Sequence, residues 1–197
     1  MSVFFPVVQA SASSAVEVDG LVSCLTDTTD SAWSIMQRLA IAATLAGNGA
    51  FELTVDESTK VLTLAAGATF DITITATFSG FVTDTGAASY NSSAITDAVV
   101  VDGCAVSGPG YSFGTGQPGA DGAAAGGGLM RAGGVTVECQ ASFATAYAAA
   151  KTLRHGVWDV VDTGRWLTRI RPTGITMSPQ GRKQGIVTLL VSGQVVA

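Results

Sequence analysis

The sequence predicts a mainly β fold of the α+β kind: an antiparallel β-sandwich or barrel-like core with two helices and one long glycine-rich loop. Three observations carry that reading. Alternating apolar and polar residues recur along the chain, most clearly in "TFDITITATFSGFVT", residues 69–83. Only two stretches, about 31–46 and 142–155, keep a helical period. A low-complexity tract at 108–134 separates an acidic first part from a basic last part. At 197 residues the chain suits one β-rich domain, 1–197, with a core of its own.

The first helix is read from "DSAWSIMQRLAIAATLAGNG". Asp30 or Ser31 can cap its amides. Ile35, Met36, Leu39, Ala42, Ala43 and Ala46 fall on one face, and Gly47 suits a left-handed C-cap. "AFELTVDESTKVLTLAAG" reads as a hairpin in which Phe51, Leu53 and Val55 alternate and Val61, Leu62 and Leu64 return. In the next strand Phe70, Ile72, Ile74, Ala76 and Phe78 face one way and Thr69, Asp71, Thr73, Thr75 and Thr77 the other, as in a half-buried antiparallel strand. "ITDAVVVDG" is a further short strand.

Eleven of the 24 glycines lie in the 27 residues of 108–134. The tract has too little side chain to offset its ordering entropy, so it reads as a long loop that is either functional or disordered by itself, and that could order against a neighbour in an assembly. After it, "GVTVECQA" is a strand. "SFATAYAAAKTLRHG" is an alanine-rich helix on which Phe143, Tyr147 and Ala150 share a face. Lys151, Arg154 and His155 in its last turn complement the helix dipole, and Gly156 ends it. His155 is thus a helix-end residue, not a ligand. "VWDVV", "RWLTRIR", "GITMS" and "GIVTLLVSGQVV" read as four closing strands.

Apolar residues make up 47% of the chain and charged residues 13%, about half the usual charged share of roughly 25%. Such a surface is one that something covers. Membrane insertion is not expected: no run reaches the roughly 20 apolar residues of a spanning helix, "MSVFFPVVQASASS" lacks the positive region of a secretory signal, and the alternating strands are too few for a membrane barrel. Oligomerisation is the expected cover. The three cysteines, Cys24, Cys104 and Cys139, are odd in number. With no C-x-x-C and a single histidine they read as small buried hydrophobes, with a cross-link between subunits as the sharper alternative.

Several motifs fit catalysis in letters only. "GYSFG" matches G-x-S-x-G with Ser112 as nucleophile, and Asp121 and His155 follow in hydrolase order. That elbow needs a strand before it and a helix after it, and "VSGPG" and "TGQPG" provide neither. "GTGQPG" matches G-x-G-x-x-G, but "ADGAAAGGG" is a poor helix on which to hold a phosphate. The triplet spacing of Gly116, Gly119 and Gly122 stops too soon for a triple helix. "DTG" at Asp84 and Asp162 is similar to the paired turns of aspartic proteases. Arg165 stands where that family places a small residue, though, and a two-lobed protease needs a longer chain. Asp-Thr-Gly is also a common strand-end turn. The sequon at Asn91 carries no weight without an export signal. No catalytic residue, metal or cofactor is therefore assigned. A small hydrolase using Asp84 and Asp162, or Ser112, remains the alternative in another class, and an exported adhesin-like or pilus-like domain a third.

Charge is unevenly distributed. Residues 1–130 carry two basic residues against twelve acids, net −10; residues 131–197 carry eight against three, net +5. In "DTGRWLTRIRPTG", residues 162–174, three arginines crowd into seven positions. On a strand, Arg165, Leu167, Arg169 and Arg171 would point one way and Trp166, Thr168 and Ile170 into the core. Arg182 and Lys183, in "PQGRKQG", would extend the basic row. Three uses compete for it: a solvated face with internal salt bridges to Asp159 or Asp162, a nucleic-acid patch, or a subunit interface. The acidic remainder opposes nucleic acid. Opposite charges on one chain instead favour head-to-tail contacts between copies, which build rings or filaments. Arg165, Arg169, Arg171, Arg182 and Lys183 are accordingly the expected interface residues.

In this arrangement the chain resembles the virion proteins of tailed bacteriophages, and the tail-tube subunits most. Those are single β-rich domains of similar size that pack a helix against two sheets and use a long loop to contact neighbouring rings. The matching parts are the helix at 142–155, a long loop drawn from 80–134 and closing strands at 157–196. The helix at 31–46 departs from that pattern and leaves room for a head–tail connector, a tail-tip ring or a capsid-decoration protein. The resemblance implies a virion location, no catalysis and no cofactor. It implies a homo-oligomer, commonly of hexameric rings, bound to other virion proteins, with DNA only as passing cargo. An acidic lumen would repel the passing phosphates.

Overall fold

The computed structural model describes residues 1–8, 14–25, 30–49, 51–74, 81, 83–108, 134–179 and 185–196. The fold is mainly β with two helices, and its core is a closed barrel rather than a sandwich. The chain, read in sequence as one domain, divides into two compact units: residues 1–4 with 99–197, and residues 5–98.

The first unit is the barrel. Its strands are β1 (Ser2–Val8), β8 (Val99–Ser107), β9 (Gly134–Ser142), β10 (Trp158–Asp162), β11 (Arg165–Pro179) and β12 (Ile186–Val195). They run in the order β10-β11-β12-β9-β8-β1, and β1 also pairs with β10, which closes the ring. Closure removes the sheet edges that would otherwise invite aggregation. Alternate residues fill the interior, including Phe4, Val101, Val137, Cys139, Val160, Ile170, Leu189 and Val191. Helix α2 (Phe143–Leu153) packs on this core through Ala146, Ala149, Ala150 and Leu153, and Ser142 caps its first turn. Gly193 is required by close approach: a Cβ there would lie 2.5 Å from the Arg171 carbonyl oxygen and 2.5 Å from Ile170 Cγ1.

Two of the expected closing strands are one. "RWLTRIR" and "GITMS" form the single fifteen-residue β11. A β-bulge at Pro172–Gly174 lets the strand continue through a proline that would otherwise interrupt the ladder. On α2, Phe143 and Tyr147 share a face as read, whereas Ala150 belongs to the buried one. Alanine packs inward and permits a close approach, while Phe143 and Tyr147, each 58% exposed, stack on the outside with centroids 6.2 Å apart.

Cys104 and Cys139 are joined in a disulfide, with Cα atoms 4.3 Å apart, which corrects the reading of three separate small hydrophobes. Strands β8 and β9 pair Asp102 with Gln140 and Ala105 with Glu138. The extra residue on β8 sets Cys104 beside Cys139. An odd cysteine count leaves room for one such pair, and only strand register reveals which. The side chain of Cys24 lies outside the described residues.

The second unit contains β2 (Ser14–Val18), β3 (Leu21–Leu25), β4 (Asp30–Ser31), α1 (Ala32–Leu45), β5 (Glu52–Asp56), β6 (Val61–Ile74) and β7 (Asp84–Asn91). Its sheet runs β3-β2-β6-β5, with β7 also on β6. Residues 7 and 8 of β1 pair with β4. Ser31 caps α1 through a reciprocal pair of bonds with Ser34, and Gly47 follows the helix with φ +84°, as expected of a left-handed cap. Trp33, Ile35, Met36, Leu39 and Ala43 are buried, as are Leu62, Leu64, Phe70, Ile72 and Tyr90 of the sheet.

Residues 84–91, expected to begin the long loop, are instead the strand β7. Strands β1, β2 and β3 had no counterpart in the sequence reading. The signal for β2–β3 is Asp19-Gly20 between alternating valines: both residues have positive φ, 48° and 77°, as a two-residue hairpin turn requires. The glycine-rich tract joins β8 to β9, and its residues 109–133 lie outside the described ones.

Candidate subunit interface

The arginine segment begins at a hairpin turn. Thr163 and Gly164 have φ 45° and 74°, so Asp162-Thr163-Gly164 is the strand-end turn that its composition allows. Register then runs Asp162 with Arg165, Val161 with Trp166, Val160 with Thr168 and Asp159 with Arg169. Leu167 is the extra residue of a bulge, and it breaks the alternation expected of "RWLTRIR". Thr168 and Ile170 are buried as expected. Trp166 is not inside: it is 50% exposed and donates from Nε1 to Asp159 Oδ1 at 3.0 Å.

Arg169 is likewise not a member of a uniform basic row. Its guanidinium grips Asp159 with both prongs, Nε to Oδ1 at 2.9 Å and Nη2 to Oδ2 at 2.8 Å. Asp159 is fully buried, and only 15% of the Arg169 side chain is exposed. A buried carboxylate needs such a fork to offset its desolvation. Arg169 thus completes the fold, in line with the internal salt bridge considered for this face. Arg165 and Arg171 are exposed. Arg182 and Lys183 lie outside the described residues.

Asp162 and Asp84, the two aspartates of the hydrolase alternative, are each hydrogen-bonded within the fold. Asp162 Oδ1 accepts from the Ser2 hydroxyl, whose oxygen accepts the Cys104 N–H at 2.7 Å. This ties the β10–β11 turn to β8. Asp84, the first residue of β7, accepts the N–H of Thr85 at Oδ1, 2.8 Å away. The two aspartates fall in different units, and Ser112 lies outside the described residues. Among the described residues no group of three or more His, Cys, Asp or Glu is placed to hold a metal ion, and no helix is long and apolar enough to cross a membrane.

The charge asymmetry of the sequence follows the two units. Residues 5–98 carry ten acids against two bases, net −8, while the barrel unit carries five against eight, net +3. Both bases of the acidic unit are engaged within it. Arg38 pairs with Asp30 at 2.6 Å, and Lys60 Nζ donates to the carbonyls of Thr96 and Ala98. Asp19, Glu52, Asp56, Asp71 and Asp97 are exposed.

Two of these acids are held ionised by their turns. The Ser58 hydroxyl, followed by the Thr59 and Ser58 amides, lowers Asp56 to about 2. The Asn48 side-chain amide, followed by the Asp71 N–H, lowers Asp19. Carboxyls that titrate below the unfolded value of about 3.9 support their turns above about pH 4, and that support is lost as pH falls through the folded value. An NMR titration is expected to place the Asp56 midpoint near 2. An ordinary midpoint would show that the turn's hydrogen bonds do not persist in solution.

No family model, curated protein or solved structure matches this chain.

Proposed function

We propose that the chain is a non-enzymatic structural subunit that assembles head to tail with its own copies. The barrel unit of one copy meets the acidic unit of the next, as part of a tailed-phage particle, its tail tube. The observation that carries this reading is the division of charge between the two units, net +3 and net −8. One surface is complementary to another on an identical molecule, which is the condition for a heterologous, propagating contact. The exposed Phe143, Tyr147 and Trp166 supply aromatic area of the kind that dominates binding energy once water is excluded. The same acidic unit suits a lumen through which DNA passes without sticking. That α1 and its sheet form a unit of their own favours, as a second reading, a head–tail connector, a tail-tip ring or a decoration protein.

Light scattering with negative-stain microscopy tests the proposal. Rings or tubes are expected at low salt and should loosen at high salt, as screening shortens the range of charge attraction to a few ångströms. Arg165→Glu with Arg171→Glu should prevent assembly while leaving the fold intact, since both side chains are exposed. Arg169 must be left alone, because its loss would act through folding. A monomer at every salt concentration would overturn the proposal. Tubes would favour the tail tube, and single closed rings a connector or tip role.

A further inference from the structure

Large hydrophobics exposed one at a time are ordinary, but adjacent ones mark a surface that something covers. Each unit carries such a pair on the outer face of its helix. On α1 it is Ile41 and Leu45, 53% and 76% exposed; on α2 it is Phe143 and Tyr147, each 58% exposed. Residues four apart lie one above the other, about 6 Å along a helix axis, so the two pairs have the same length. The α2 rings are already stacked on each other. Beside them Ala144 and Ala148 are exposed and small, which leaves a groove for a ridge of larger side chains. Ile41 and Leu45, continued by half-buried Gln37, form such a ridge on α1.

We infer that the outer face of α2 in one copy packs antiparallel on the outer face of α1 in the next, with the Ile41–Leu45 ridge in the Ala144–Ala148 groove and Asp19 beside the start of α2. The inference rests on the head-to-tail reading and names its contact. Charge sets the direction. The last turn of α1 has no basic residue and the first turn of α2 no acidic one, so the negative pole of α1 and the positive pole of α2 lack a counter-charge on their own helices. Asp19 is fixed just beyond the end of α1: it is exposed, and its Oδ2 accepts from Asn48 Nδ2 at 2.8 Å. Antiparallel packing brings Leu45 to Phe143 and the carboxylate to the positive pole. Parallel packing would set Asp19 and two negative poles together. At the other end, exposed Lys151 continues the α2 stripe and makes no ion pair among the described residues. It would face the neutral Gln37, while the charge of Arg38 is engaged by Asp30 at 2.6 Å. Rings stacked before contact forfeit little freedom on binding, and buried aromatics are the usual centres of binding energy.

Sedimentation of the full chain at low salt, joined to oxidative cross-linking, tests the contact. Leu45→Lys suits the negative end of its own helix and Tyr147→Glu falls on an exposed position, so thermal midpoints should stay close to the parent. Each should still raise the concentration needed for assembly roughly tenfold or more. A mixture of Leu45→Cys and Ala144→Cys should form a disulfide-linked heterodimer that neither variant alone, nor the parent with its Cys24, forms. If Leu45→Lys and Tyr147→Glu assemble like the parent while Arg165→Glu/Arg171→Glu does not, the helix contact falls and the head-to-tail reading stands. Absence of the link in an assembled mixture, or linkage of Leu45→Cys to Lys151→Cys instead, overturns the pairing. If the parent chain is a monomer at every salt concentration, both fall together.

Discussion

Replacing Arg169 with alanine is expected to cost the barrel unit about 3–5 kcal/mol, a large part of the roughly 5–15 kcal/mol that holds a domain folded. The cause is not the lost attraction alone. Asp159 is fully buried, and without the guanidinium its two oxygens lose the bonds at 2.9 and 2.8 Å. Trp166 Nε1 still donates at 3.0 Å, but a neutral donor does not replace the guanidinium's charge in offsetting the desolvation of a carboxylate. The double change Asp159→Asn with Arg169→Met should recover much of the loss, because it removes both charges and keeps an acceptor for Trp166. Urea unfolding of the two variants and their parent measures this directly. Equal stabilities for Arg169→Ala and the parent would mean that Asp159 finds another counter-charge or is hydrated.

Removing the Cys104–Cys139 disulfide by paired alanine substitution is expected to destabilise the barrel unit by roughly 3–4 kcal/mol, the chain-entropy value for a loop of this length. The bonded residues are 35 apart in sequence, and the loop between them contains the glycine-rich tract, whose unfolded freedom is large. In the folded barrel β8 and β9 are already paired near the loop's base, Val106 with Val137 and Ser107 with Thr136. The bond therefore acts chiefly on the unfolded chain. The thermal midpoint should fall by about 10 °C, and a reductant should lower the parent to nearly the same value. A midpoint insensitive to both treatments would show that the two sulfurs remain thiols in the folded protein.

Where local sequence obeys one period, its structure was legible. "DSAWSIMQRLAIAATLAGNG" has a cap, a stripe and a terminating glycine, and α1 forms within a residue or two of those marks. "AFELTVDESTKVLTLAAG" alternates about a polar turn, and β5 and β6 pair there. The Asp19-Gly20 turn was equally local and could have revealed β2 and β3. The alanine-rich helix was recognisable as a helix, yet which face it buries was not. Alanine and aromatic faces are both apolar, and only the barrel's need for a close approach selects the alanines.

What the sequence by itself determined is the element types and the asymmetry of charge, since both depend on residue order alone. It also supplied the idea of assembly that this asymmetry motivates. What only the tertiary structure decided is which residues remain available for it. The bulge at Leu167 reverses the expected facing of Trp166, and a cross-strand partner ten residues away converts Arg169 from a candidate interface cation into the counter-ion of Asp159. Register likewise joins two cysteines on neighbouring strands. The physical reason is common to all three: a side chain's neighbours on a sheet are set by strand pairing, and pairing depends on single-residue insertions and long-range closure that a local period does not encode.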